Sequence, residues 1–140
     1  MIHYILENNI QKLVNIVENG ANIHYLNDYP FILACSKGYA SIVSLIINCY
    51  NPNINAQNGL PLRIACIYGH MDIVICLIEN GVDINIDDSG ALIWCAYKGQ
   101  NEIAKYLISK GADISARNNL LMKIYSGKKN IEILDFLWKL

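Results

Sequence analysis

A period of thirty residues runs through this chain, and no other feature restricts its fold as strongly. Residues 69–85, GHMDIVICLIENGVDIN, recur as GQNEIAKYLISKGADIS at 99–115. The same pattern appears upstream as GYASIVSLIINC from 38 and as NNIQKLVNIVENGANIH from 8, and a last partial copy, KNIEILDFLWKL, closes the chain from 129. The anchoring residues Ile23, Ile54, Ile84 and Ile114 are separated by steps of 31, 30 and 30, the longer step being absorbed by the turn around Asn51–Asn53. Self-similarity at such a period marks a stack of small units, because one unit of this size cannot bury its own apolar face.

Each unit holds two apolar stretches with helical spacing. In the second, Ile73, Val74, Leu77 and Ile78 make one stripe while Asp72 and Glu79 lie opposite, the signature of an amphipathic helix. Gly20, Gly81 and Gly111 follow these stretches, where a left-handed residue closes a helix. The first stretch runs from Pro61 to Tyr68, with proline in the first turn where its missing N–H is harmless; Pro30 repeats this one unit earlier. Small residues recur at Ala34–Cys35, Ala65–Cys66 and Cys95–Ala96, which lets neighbouring helices approach, and Gly38, Gly69 and Gly99 supply the turn between the two helices. The units divide as an N-terminal half-repeat 1–27, repeats 28–57, 58–87 and 88–117, and a C-terminal capping repeat 118–140, all in a single domain.

Composition narrows the function. Of 140 residues, 54 % are hydrophobic and 16 % charged, which suits one packed core. A net charge of -1 with arginine only at Arg63 and Arg117 gives no footprint for nucleic acid, and no apolar run reaches the roughly 20 residues that span a bilayer. The start carries no basic, long apolar leader, and the five cysteines form no C-x-x-C pair and sit in apolar stretches. They read as reduced core thiols in a cytoplasmic protein. Equivalent cysteines such as Cys35 and Cys66 lie in stacked helices about 8–10 Å apart, beyond disulfide reach.

The run from Pro61 to Asn85, PLRIACIYGHMDIVICLIENGVDIN, resembles an ankyrin repeat, and the resemblance covers nearly the whole chain. It implies an all-α, ankyrin-like helix-turn-helix repeat solenoid. The usual unit has about 33 residues and opens its first helix with Thr-Pro-Leu-His. Here three residues are missing between units, so the β-hairpin loops must be shortened. The position of the family histidine holds Ile32, Arg63, Ile93 and Lys123, so its usual polar link is absent. Such short, Asn- and Ile-rich repeats are similar to those of giant DNA virus ankyrin families. That likeness points to a viral protein acting in the host cytoplasm.

No chemistry of a catalytic kind is legible. His3, His24 and His70 share no face with a nucleophile, the glycines come singly rather than as a phosphate loop, and no tetrahedral Cys/His spacing exists for a metal, so no cofactor is implied. His70 reads as structural. The resemblance instead implies a non-catalytic module that binds a protein through the concave surface of the first helices. Its candidate contact residues are the pairs before each turn glycine, Ser36 and Lys37, Ile67 and Tyr68, Tyr97 and Lys98. Exposed aromatic side chains flanked by lysines have the composition of a binding hot spot. The alternative for these pairs is a solvated helix edge. Loop residues Asn27, Asp28, Asn58, Gly59, Asp88 and Ser89 are weaker candidates, and Asn55 resembles the asparagine that asparaginyl hydroxylases modify in animal ankyrin repeats. A second function remains open: a structural or self-assembling repeat protein, monomeric or weakly self-associating through the C-terminal repeat, where Trp138 either turns inward or offers a contact. A regulatory subunit of an enzyme is the third.

Overall fold

The computed structural model describes residues 1–140 and contains ten helices and no strand. In chain order they are α1 (Ile2–Leu6), α2 (Ile10–Glu18), α3 (Tyr25–Lys37), α4 (Ala40–Tyr50), α5 (Ala56–Tyr68), α6 (Met71–Glu79), α7 (Ile86–Lys98), α8 (Asn101–Ser109), α9 (Ala116–Gly127) and α10 (Ile131–Trp138). They form five antiparallel pairs, each packed on the next. The apolar stripes read from the sequence meet at the seams: Ile42, Ile73, Ile103 and Ile133 repeat one buried position, and Ile46, Leu77, Leu107 and Leu137 another. Burying each such side chain contributes about 1.5–3 kcal/mol, so seams rather than isolated pairs hold the stack.

The first helices α3, α5, α7 and α9 lie close along one row, whereas neighbouring second helices touch sparsely. Ala34, Cys35, Ala65, Cys66, Cys95 and Ala96 are all fully buried in that row, which is why it can be so tight. A stack tighter on one side bends toward it, so the first helices line the concave side. Each turn between partner helices closes with a left-handed residue and a backbone bond five residues back, from Tyr39 N–H to Ala34 O, His70 N–H to Ala65 O and Gln100 N–H to Cys95 O. Lys129, with φ 51°, takes the glycine's place in the last pair.

The missing residues of the hairpin are replaced by a specific device. Each of α3, α5, α7 and α9 begins with three consecutive residues in the left-handed region, at 26–28, 57–59, 87–89 and 117–119. A backbone bond spans each, from Asp28, Gly59, Ser89 and Asn119 N–H to the carbonyl four residues before. This is one turn of left-handed helix, a conformation costing an ordinary L-residue roughly 1–2 kcal/mol and tolerated best by Gly, Asn and Asp. Eight of the twelve positions hold those three residue types, so part of the chain's asparagine content is turn chemistry.

Side chains near these turns join the units. Asn55 Oδ1 accepts from Asp83 N–H at 2.9 Å, and Asn85 Oδ1 accepts from Asp113 N–H at 2.9 Å while its Nδ2 donates to Gly111 O at 3.1 Å. Where the series begins with His24, buried Asp28 takes over. Its carboxylate accepts from His24 Nδ1 at 2.6 Å and from Asn53 N–H at 3.0 Å. The absent family histidine is replaced in one unit by an ion pair, Arg63 Nη1 to Asp87 Oδ2 at 2.9 Å, and Arg117 reaches the same carboxylate at 3.4 Å. The chain's only two arginines thus converge on one aspartate across three consecutive pairs of helices.

One expectation is corrected, and one of two open readings falls away. Cys35, Cys66 and Cys95 are buried as read, but Cys76 is only half-buried and Cys49 is exposed, because α4 runs on to Tyr50 and carries Cys49 onto the outer edge. Trp138 does not turn inward; it is 78 % exposed, since α10 has only α8 and α9 to pack on and buries Ile133 and Leu137 instead.

Candidate functional site

The ends of the first helices present two parallel rows on the concave side. Positions 37, 68, 98 and 128 are equivalent, giving Lys37, Tyr68, Lys98 and Lys128; positions 36, 67 and 97 give Ser36, Ile67 and Tyr97 beside them. Tyr68 is 59 % exposed and Tyr97 49 %, while Lys37 and Lys98 are exposed and Ser36 and Ile67 half-buried. The stack therefore brings all six to the C-terminal ends of the adjacent helices α3, α5 and α7, with Tyr68 in the unit between the two lysines.

The backbone beneath them is held by the following unit. Ser36 Oγ donates to Leu33 O at 2.8 Å, and its own carbonyl accepts from His70 Nε2 at 3.2 Å. Gly38 allows this: a Cβ there would stand 2.7 Å from the imidazole. His70 also lies against the Tyr68 ring at 6.1 Å, so its role is to fix the seam and orient the tyrosine. One helix later Lys128 Nζ donates to the carbonyls of Ala96 and Tyr97, placing a cation at the negative end of α7.

Sequence reasoning missed Trp94. It is 40 % exposed and its ring meets that of Tyr97 at 5.9 Å and 57°, a tilted pair of the kind aromatic rings prefer. The signal was present, because 94 lies three residues before 97 and so on the same helix face. Its equivalents Leu33 and Ile64 are half-buried and continue the apolar strip. Among the weaker candidates, Asn27, Asn58 and Asp88 are exposed on the left-handed turns. Asp28, Gly59 and Ser89 are buried against the next unit and withdrawn from any partner. Asn55, half-buried, uses its side-chain oxygen in the seam.

The buried thiols are chemically quiet. Burial pushes the Cys35 thiol well above its ordinary range, and for Cys66 a hydrogen bond with Cys95, then burial, does the same. Neither offers a thiolate. Nowhere do three His, Cys, Asp or Glu side chains gather as a metal-binding group. Two shallow clefts, of about 320 Å³ around Asn48, Pro52 and Asn80 and about 350 Å³ around Lys12, Asn15 and Asn19, lie away from the tyrosine row.

The profile of the family described as Ankyrin repeats (3 copies) matches residues 2–88 and, in a second register, 31–118. The chain belongs to the ankyrin repeat family. Two ankyrin repeat proteins of Acanthamoeba polyphaga mimivirus are each 33 % identical to it, one over 96 % of this chain and 22 % of its own length, the other over 79 % and 29 %. Ankyrin repeat and SAM domain-containing protein 6 of Mus musculus is 37 % identical over 46 % of this chain and 8 % of its own length. The chain thus spans less than a third of these relatives. Ankyrin repeats are in general modules for protein–protein contact and typically non-catalytic, and no helix of this one is long and apolar enough to cross a membrane.

Proposed function

We propose that this ankyrin repeat domain binds a protein partner through the concave row of first helices, without catalysis of its own, and that Ser36, Lys37, Ile67, Tyr68, Tyr97 and Lys98 form the contact. One observation carries the reading. Tyr68, Trp94 and Tyr97 are exposed together near the ends of adjacent first helices, flanked by the exposed Lys37 and Lys98. In this reading the repeats run 28–57, 58–87 and 88–117, with a half-repeat 1–27 before and a capping repeat 118–140 after. The likeness to mimivirus proteins supports a giant DNA virus as source and a host factor in the cytoplasm as partner. Replacing Tyr68 and Tyr97 together by Ala is expected to leave far-UV circular dichroism unchanged and to remove the proteins retained from amoebal lysate by the unaltered domain, as read by mass spectrometry. An unaltered set of retained proteins would refute the assignment.

A second reading, self-association through the last unit, draws on Ile131, Trp138 and Leu140, which are 70 %, 78 % and 69 % exposed. Light scattering across a concentration series distinguishes it, because Trp138→Glu would then lower the mass of the unaltered domain's assemblies to that of a monomer.

A further inference from the structure

The net charge of -1 conceals a segregation of charge between the two rows of helices. Over residues 29–37, 60–68, 90–98 and 120–128, the right-handed portions of α3, α5, α7 and α9 with the cap of the last, lie five cations, Lys37, Arg63, Lys98, Lys123 and Lys128, and no carboxylate; in the first pair the position of Lys37 holds Glu7, which is paired with His3. The second helices α2, α4, α6, α8 and α10, counted with their C-terminal caps in the same way, carry six carboxylates against four lysines, Lys12, Lys105, Lys110 and Lys139. Of the five cations, Arg63 is paired with Asp87 and Lys128 is engaged by backbone carbonyls, but Lys37, Lys98 and Lys123 have no carboxylate within reach. The apolar strip of Ile67, Tyr68, Trp94 and Tyr97 lies between Lys37 and Lys98.

We infer that the occupant of this face is an acidic segment of a partner protein whose aromatic or aliphatic centre sits on Tyr68, Trp94 and Tyr97 and whose carboxylates meet Lys37 and Lys98. The inference rests on the reading of the first-helix row as the binding surface. Charge complementarity selects the occupant, since opposite potentials steer encounter and like charges exclude wrong partners. Geometry adds a spacing. Lys37 and Lys98 are two units apart, about 16–20 Å at 8–10 Å for each packed helix, a distance that about five or six residues of extended chain cover. A nucleic acid strand is the weaker fit. The Trp94 and Tyr97 rings meet at 57° rather than offering parallel faces to successive bases, and the carboxylate-rich opposite side repels a polyanion.

Selection of a random peptide library displayed on phage against the full chain tests this. The selected peptides are expected to be enriched in Asp and Glu on both sides of an aromatic or aliphatic residue. Their affinity, measured by titration calorimetry, is expected to fall about tenfold in Lys37→Glu, Lys98→Glu, two exposed changes that leave the helices intact. Peptides that need Tyr68 and Tyr97 but show no excess of acidic residues would overturn the charge inference and leave the surface standing. Binders indifferent to Tyr68→Ala, Tyr97→Ala, or no binders at all, would overturn the surface itself. A fluorescein-labelled oligothymidylate that bound more tightly than the selected peptides would replace the acidic partner with a nucleic acid.

Discussion

The connection between units has two halves built from opposite materials. The first half holds Gly81 or Gly111, visible in the sequence as a helix stop, and stands in open space: a Cβ on either would meet nothing within 4 Å. The second half is the left-handed turn, occupied by residues as varied as Leu26, Gln57 and Arg117, and it is pressed against the next unit. At Gly59 an added Cβ would lie 2.1 Å from Ile86 Cγ2. The glycine that reads most clearly therefore does least tertiary work, and the turn that reads as mere asparagine-rich loop fixes how one unit sits on the next.

The contrast is open to direct attack. Gly59→Ala combines a left-handed φ with a collision and should cost about 3 kcal/mol in urea unfolding, against about 1 kcal/mol for Gly81→Ala, which has only the backbone conformation to bear. Equal losses would erase the distinction between the halves. Next in size, Asn85→Ala removes two bonds across the seam and one to Ser89 Oγ, and should cost about 2 kcal/mol. Asn55→Ala removes a single cross-seam bond, to Asp83 N–H, and should cost about 1 kcal/mol. Away from both halves, Tyr125 occupies the position of Ala34, Ala65 and Cys95, fully buried with its hydroxyl lacking a partner. Tyr125→Phe should raise stability by about 1 kcal/mol and the melting temperature with it, since the ring is kept and an unpaired polar group is lost.

The smallest effect concerns pH. Asp113 is held below its ordinary value of 3.8 first by the hydroxyl and then by the backbone N–H of Ser115. A carboxylate with a depressed native value contributes stability that is present above pH 3.8 and is lost as the pH falls through the native value. Ser115→Ala should bring the Asp113 carboxyl titration, followed by NMR, back toward the ordinary value. An unmoved titration would mean that the hydroxyl does not act on it.

Much of the architecture was legible because the period, Pro30 and Pro61 in first turns, and the recurring small residues each constrain backbone or packing locally. The left-handed turns were not. Leu26, Gln57 and Arg117 avoid that conformation in isolation, and only the adjoining unit stabilises it. At the candidate site Tyr68 and Tyr97 were found from their place before the turn glycine. Trp94 was not singled out, although its spacing of three residues from Tyr97 puts it on the same helix face, which the stack leaves open to solvent. The charge separation was hidden for a simpler reason: a sum of charges says nothing about which helix carries them.

Hydrogen–deuterium exchange with a selected acidic peptide bound reads the central claim, that seams hold the fold and the first-helix rim holds the partner. Protection is expected to rise at residues 33–37, 64–68 and 94–98 and to stay level along α4, α6 and α8. A footprint on those second helices, or one confined to the unit that carries Trp138, would contradict it.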